Sequence, residues 1–251
     1  MIVMAKSYWG RAGKTKRAFC HACLLMIFLL ATSCNAHTLF QSNFDTTALN
    51  QPPAPSQSVG TVTTRGSILV QVIPGTNLKG VQFDPRSDPN DNTVLRCELS
   101  VPQDNGTYVF STAIYWPSNS GGTVTIWFDR PHDVITTGAL SQDVLSGNPK
   151  PEFMHLDLIG DSVRIDDDNS TTFGTFPRDQ LFLVQVALNI NATPSAHILL
   201  SGAGASGEAD RKIGPSFPTT QLKFGAVRIS TVLSADVQTF YATTIVVSRQ
   251  P

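Results

Sequence analysis

The sequence predicts an all-β protein, a two-sheet antiparallel jelly-roll sandwich behind an N-terminal signal helix, and three observations lead there. From Leu39 onward the chain repeats short runs of β-branched and aromatic residues divided by Gly, Pro, Asn, Asp and Ser. Several of these runs alternate apolar and polar residues with period two, which describes a sheet with one buried and one wet face. Nothing after the N-terminal segment sustains a 3.6-residue period, and the best helix candidate is the short stretch Ala139 to Leu145. Strands without intervening helices exclude a βαβ protein and leave a barrel or two stacked sheets. About 215 residues remain after the N-terminal segment, more than an immunoglobulin module needs and suited to a large jelly roll. The absence of a fixed-period repeat speaks against a propeller or solenoid.

The first element is a targeting segment. Lys6 to Arg17 is basic, and the apolar run that follows is continuous only from Cys23 to Ala31. A membrane-spanning helix needs roughly 20 apolar residues, so this run has the proportions of a secretory h-region and predicts export. Two cleavage readings fit. Leu30-Ala31-Thr32-Ser33-Cys34 resembles a bacterial lipobox, with Cys34 lipidated after the cut, although Ala31 stands where such motifs more often have Leu. Ordinary cleavage after Ala36, with small residues at Cys34 and Ala36, fits as well. The expected organisation is a signal peptide over residues 1–36 and one β-sandwich domain over 37–251. Cys20 and Cys23 leave with the signal, so their C-x-x-C spacing is not a metal or redox motif. Cys97 is then a lone thiol, expected to be buried and inert. The N-x-S/T triplets at Asn105, Asn169 and Asn191 matter only in a eukaryotic secretory pathway, against which the lipobox-like start argues.

The first strand is expected around Leu39 to Asp45, followed by a surface loop in the Pro-rich Gln51 to Ser58. Further strands are expected at Ser67–Ile73, Thr93–Ser100, Thr107–Trp116, Thr123–Asp129, Phe153–Leu158, Leu181–Ile190, Ala196–Ser201, Phe224–Ser230 and Thr239–Ser248. In one of them Val124, Ile126 and Phe128 face one way and Thr123, Thr125 and Asp129 the other, with Trp127 an exception on the polar side. In another, Phe182, Val184, Val186, Leu188 and Ile190 alternate with Gln185 and Asn189. Ser201 to Gly207 reads as a flexible Gly-rich loop and not a phosphate cradle, because no helix pattern follows it.

Charge narrows the function classes. Residues 1 to 44 hold five of the 18 basic residues and no acid, which leaves 13 basic against 19 acidic residues in the remainder. A body with that balance is not built to neutralise a nucleic-acid backbone or to dock on anionic lipid, so membrane contact is expected only through a lipid at Cys34.

The opening Leu39-Phe40-Gln41-Ser42-Asn43-Phe44-Asp45 resembles the first strand of concanavalin A-like sandwiches, the superfamily of legume lectins, laminin G modules and many glucanases and polysaccharide lyases. Phe224-Gly225-Ala226-Val227-Arg228-Ile229 and Thr239-Phe240-Tyr241-Ala242-Thr243-Thr244-Ile245-Val246-Val247 resemble its last two strands. The resemblance implies that the two ends of the domain lie near one another. The retaining glucanases of the fold carry Glu-x-Asp-x-x-Glu on one strand, so that two carboxyls flank one bond. This chain has Glu only at 98, 152 and 208, none in that pattern.

The alginate lyase group of the fold has an Arg-x-Glu-Leu-Arg strand, a Gln-Ile-His strand and a late Lys-x-Gly strand preceding a Tyr. Arg96-Cys97-Glu98-Leu99-Ser100, Gln185-Val186-Ala187 and Lys223-Phe224-Gly225-Ala226-Val227-Arg228 are similar to these in the same chain order. Ala187 stands in place of the His, Val227 in place of the Tyr and Ser100 in place of the second Arg. Neither Ala nor Val can remove a proton, so the resemblance implies a relative without the lyase machinery. Without it, Arg96 and Glu98 are outward members of a strand whose Leu95, Cys97 and Leu99 face the core.

The remaining residues that carry chemistry are few. Asp166 and Asp168, in Asp166-Asp167-Asp168-Asn169, are hard oxygen ligands of the kind that hold Ca²⁺, as are the acids of Ser87 to Asn92. Neither segment has the Gly and distal Glu of an EF-hand loop, and both read first as solvated turns, for which Asp and Asn are the ordinary choice. Trp127 is the aromatic candidate for stacking on a sugar face, whereas Trp116 reads as core. His132, His155 and His197 lie on separate elements without zinc-site spacing. The expectation is an exported, non-catalytic protein that binds a polysaccharide or other surface polymer near Arg96, Glu98, Trp127 and Lys223. The alternatives are a lyase whose base is Tyr108, Tyr115, Tyr241 or a His, and an adhesion module that binds protein.

Overall fold

The structure is a computed structural model and describes residues 36–84, 93–131, 152–165, 172–191, 193–213, 223–231 and 239–251. One compact unit runs from Asn35 to Pro251. Its strands are β1 (His37–Ser42), β2 (Thr61–Arg65), β3 (Ile68–Val72), β4 (Lys79–Phe83), β5 (Val94–Gln103), β6 (Gly106–Tyr115), β7 (Thr123–Asp129) and β8 (Glu152–Ile159). They continue as β9 (Ser162–Ile165), β10 (Thr172–Thr175), β11 (Leu181–Ile190), β12 (Ser195–Ser201), β13 (Ser206–Lys212), β14 (Phe224–Thr231) and β15 (Phe240–Arg249). The signal segment with Cys34, the expected helix at Ala139–Leu145, Asp166 and Asp168 lie outside the described residues.

All described pairings are antiparallel. One layer has the order β2-β5-β14-β7-β8-β9 and the other β13-β12-β11-β6-β15-β4-β3, with β1 on β15. The chain passes repeatedly from one layer to the other, as in the jelly roll that the strand cadence predicts. The pairing of β1 with β15 brings the two ends of the domain together. Inward residues of the two layers meet in one core: Phe110 of β6 lies edge-on to Phe128 of β7 at 5.4 Å, and Tyr108 of β6 lies 5.5 Å from Phe224 of β14. Burial of this many large apolar side chains, at about 25 cal/mol per Å², is the main force holding the layers together.

Both sides of the sandwich are closed. On one side β10 pairs with β9 of the first layer and β13 of the second. On the other, the Pro-rich loop covers both edge strands. Val62 of β2 donates its N–H to Pro55 O at 2.7 Å, while Val70 of β3 donates to Gln51 O and accepts from Asn50 N. A segment rich in Pro suits this task, since it lacks the donors that would invite a further strand.

Five strands were not expected. β2, β4, β9 and β10 are four or five residues long, too short for alternation to register. The fifth, β13, replaces most of the expected Gly-rich loop: only residues 202–205 turn, and Ser206 and Gly207 already belong to the strand. Its outward Glu208, Asp210 and Lys212 are exposed, and its other positions are too small or polar to signal a buried face.

Candidate functional site

Period-two alternation on four neighbouring strands builds the site. In β5, Leu95, Cys97 and Leu99 are buried in the core, which turns Arg96 and Glu98 to the opposite face. The same logic turns out Arg228 and Ser230 from β14, Thr125, Trp127 and Asp129 from β7, and His155 and Asp157 from β8. Register then sets Thr63, Arg96, Arg228, Trp127 and His155 in one row across the sheet. Burial is unusual for an outward face: Arg96 is 3% exposed, Arg228 5%, His155 3% and Asp129 0%.

Asp129 is the hub. Arg96 donates from Nη1 to Asp129 Oδ2 at 2.7 Å and from Nε to Glu98 Oε1. Arg228 donates from Nε to Oδ2 at 3.0 Å and from Nη2 to Oδ1 at 3.3 Å of the same carboxylate. Two guanidiniums directly opposite each other repel, so the carboxylate between them is what lets both be buried. Arg96 Nη2 is buried and finds no hydrogen-bond partner among the described residues.

Trp127 is held between neighbours. The guanidinium carbon of Arg228 lies 4.5 Å from its ring centroid, and the His155 ring lies 4.5 Å away on the next strand. Its indole Nε1 donates to Ser230 Oγ at 2.9 Å. Arg228 and His155 stand on the strands either side of β7, and both lie against the indole. Trp127 is itself partly buried in this position. Beyond it, Thr125 Oγ1 donates to Asp157 Oδ1 at 2.6 Å, and His155 Nε2 lies 3.6 Å from Asp157 Oδ2.

The other sequence candidates scatter. Lys223, half-exposed at the start of β14, lies with its Nζ 3.6 Å from Asp104 Oδ1 at the β5–β6 turn, five positions from Arg228. Gln185 and Ala187 stand on β11 of the other layer, so the three lyase-like strings do not converge: β5 and β14 are neighbours, and the third is on the far side of the sandwich. Tyr115 and Tyr241 pack edge-on at 5.8 Å with Ile73 and Leu181, also on the second layer. Tyr108 is a core residue whose hydroxyl donates to Asp104 O. Burial, with Asp179 adding to it, holds the Tyr115 phenol above its usual range, and burial does the same to Tyr108. Both shifts run opposite to what a base needs.

Trp116 is core, as expected, stacked on Phe176 at 5.6 Å with Arg178 4.2 Å over its ring. Cys97 is buried and free, and burial, reinforced by Glu98, pushes its thiol far up. No group of three or more His, Cys, Asp or Glu among the described residues is placed to hold a metal ion. The second layer has an open depression of about 490 Å³, which His197, Asn189, Asp210 and Lys212 line with the small Ala187. It has no aromatic wall. His197 Nδ1 lies 2.9 Å from Asp210 Oδ1, so its main cross-strand groups satisfy each other.

Sequence alternation pointed to the polar face of β5 and β7. It missed Asp129 as the hub and Arg228 as its second cation, because their meeting depends on register between strands far apart in the chain.

No family model and no curated protein matches the sequence. Solved structures do resemble the fold. The lectin UEA-II complexed with galactose matches with a TM-score of 0.52 at 12% identity, over 81% of this chain and 97% of that one. Lectin II from Ulex europaeus matches with 0.52 at 11% identity, over 79% and 95%. A variant of alginate lyase Aly36B in complex with alginate trisaccharide matches with 0.55 at 11% identity, over 86% and 99%. At such identities the likeness is one of fold, and the fold is the concanavalin A-like jelly roll.

Proposed function

We propose that the chain is an exported protein that binds a polysaccharide on the β5–β14–β7 face without cleaving it. The observation that carries this reading is the polar row of Thr63, Arg96, Arg228, Trp127 and His155 that strand register sets across one face of the sandwich, two guanidiniums and an indole side by side. The row meets solvent at Thr63 on one side of Arg96 and at the partly buried Trp127 on the other. The fold shared with sugar-bound lectin and lyase structures supports the class of ligand, by analogy of fold alone.

Binding is preferred to cleavage on geometry. A lyase must neutralise a carboxylate and remove a proton from the same sugar residue, with the base within hydrogen-bond reach of that proton. The described tyrosines are in the core or on the other layer. His155 is the described base on this face, and three inter-strand steps of about 4.8 Å, roughly 14 Å, separate it from Arg96. Trp127 and Arg228 fill the space between them.

Export rests on the basic stretch and short apolar run of the N-terminus. Cys34 is the lipid attachment point if cleavage precedes it, and the intact mass of the exported chain decides between that and a cut after Ala36. Affinity electrophoresis through gels of neutral and acidic polysaccharides, with and without Ca²⁺, tests the binding reading. Retardation by one polymer supports it, and a Ca²⁺ requirement would direct attention to Asp166 and Asp168. Unsaturated sugar ends released in that gel would instead establish the lyase, and free migration in every gel would favour a protein partner.

A further inference from the structure

We infer that the ligand of this face is a neutral polysaccharide whose hydroxyl groups are held by the Glu98 carboxylate, with the Thr61 and Thr63 hydroxyls beside it. This rests on the proposed binding of polysaccharide to the face and adds the charge of the polymer. Alternation turns Thr61 and Thr63 of β2 outward around the buried Val62, and both threonines are exposed. Register sets Thr61 directly opposite Glu98 and Thr63 opposite Arg96. At the rise of an extended strand the two threonines stand roughly 7 Å apart. The Glu98 side chain has one of them across the pair and the other on its diagonal.

Charge decides between polymers. The cations of the row are buried and engaged: Arg228 donates to both oxygens of Asp129, and Arg96 donates to Asp129 and to Glu98. Two guanidiniums against two carboxylates leave no net charge. The member of the four that reaches solvent is an anion, since the Glu98 side chain is 25% exposed and that of Arg96 3%. Arg65, the next outward residue of β2, is partly buried and has a partner of its own, and Lys223 faces Asp104. A uronate or sulfate group would therefore meet a carboxylate of its own sign beside guanidiniums that are already paired. A neutral chain rich in hydroxyls meets complementary groups: a carboxylate that only accepts, and Thr hydroxyls that donate and accept. Arg96 Nε holds Glu98 Oε1 in place, and Oε2 accepts no hydrogen bond among the described residues. Hydrogen bonds from sugar hydroxyls to that carboxylate are charge-assisted, and so stronger than those between neutral groups.

The test is affinity electrophoresis of the unmodified full chain and of Glu98→Gln, Thr61→Val and Thr63→Val through gels of neutral, uronate and sulfated polysaccharides. Glu98→Gln keeps the shape and an acceptor for Arg96 but removes the charge. Because it also leaves the buried arginines with one carboxylate fewer, far-UV circular dichroism checks its fold. The Val variants are isosteric changes at exposed strand positions, so they decide the matter if Glu98→Gln does not fold. We expect a neutral polymer to retard the unmodified chain and the acidic ones to leave it free. Binding should weaken about tenfold in Glu98→Gln and about threefold in each Val variant. Retardation by an acidic polymer, alone or beside a neutral one, overturns the inference and leaves the polysaccharide reading standing. So does retardation by a neutral polymer that the folded variants leave unchanged. Free migration of the unmodified chain in every gel removes the polysaccharide reading and the inference with it.

Discussion

Trp127 shows how much a single residue's role depends on its neighbours. Period-two alternation identifies it as an apolar residue on a polar face, which reads as a sugar-stacking platform. Register adds Arg228 and His155 on either side of the indole, and neither is visible from the sequence of β7. The ring becomes a wall that holds Arg228 in place. Trp127→Phe keeps the wall but loses the bond to Ser230 and part of the cation–π attraction. It should lower stability by about 1–2 kcal/mol in urea unfolding. Cys97 gives a second test at this scale. Its folded thiol keeps its proton to higher pH than the unfolded thiol, whose ordinary value is 9.0. Above that pH the unfolded state has lost a proton that the native state retains, so stability falls as pH rises. The loss is about 1.4 kcal/mol per pH unit, and below pH 9 this group contributes no slope. Urea midpoints of the unmodified chain and Cys97→Ala between pH 8 and 10 should therefore diverge in slope, the variant falling less steeply.

Among elements, the seam between β10 and β13 leaves no room for a side chain. Gly174 and Gly207 face each other across it, and a Cβ on Gly207 would lie 2.6 Å from Gly174 Cα and 2.9 Å from Phe173 O. Backbone atoms of a paired strand cannot give way as a side chain can. Gly207→Ala should thus cost about 1–3 kcal/mol in chemical denaturation, and adding Gly174→Ala should cost less than the sum because both changes open the same contact. The seam also explains what the sequence concealed. Long strands such as β6, β11 and β15 display enough alternation to be recognised individually. β10 and β13 are recognisable only as partners, since their glycines are chosen for close approach and not for burial of side chains. The Pro-rich loop was legible as a loop, but its hydrogen bonds to β2 and β3 were not, because they join residues that only the closed sandwich brings together.

At the scale of the whole molecule, strand cadence was sufficient for the architecture. Ten expected runs fall on strands of two antiparallel layers, with β1 on β15 as the resemblance to concanavalin A-like proteins implied. Function was less legible. Alternation showed that Arg96, Glu98 and Asp129 lie on the polar faces of their strands, whereas the meeting of Asp129 with Arg96 and Arg228, the place of Gln185 on the other layer and that of Lys223 five positions from Arg228 depend on strand pairing. A jelly roll presents two outward faces, and sequence does not say which strands share one. The chain itself is expected to leave the cell. Fusion of its first 36 residues to a reporter should direct that reporter out of the cytosol, and retention would contradict the export reading.

The most direct test of the central claim is to map backbone amide shifts of the chain on titration with an oligosaccharide of the polymer that retards it. The account predicts the largest changes on β5, β14 and β7, centred on Arg96, Arg228 and Trp127. Changes confined to the other layer, around Asn189, His197 and Asp210, would contradict it.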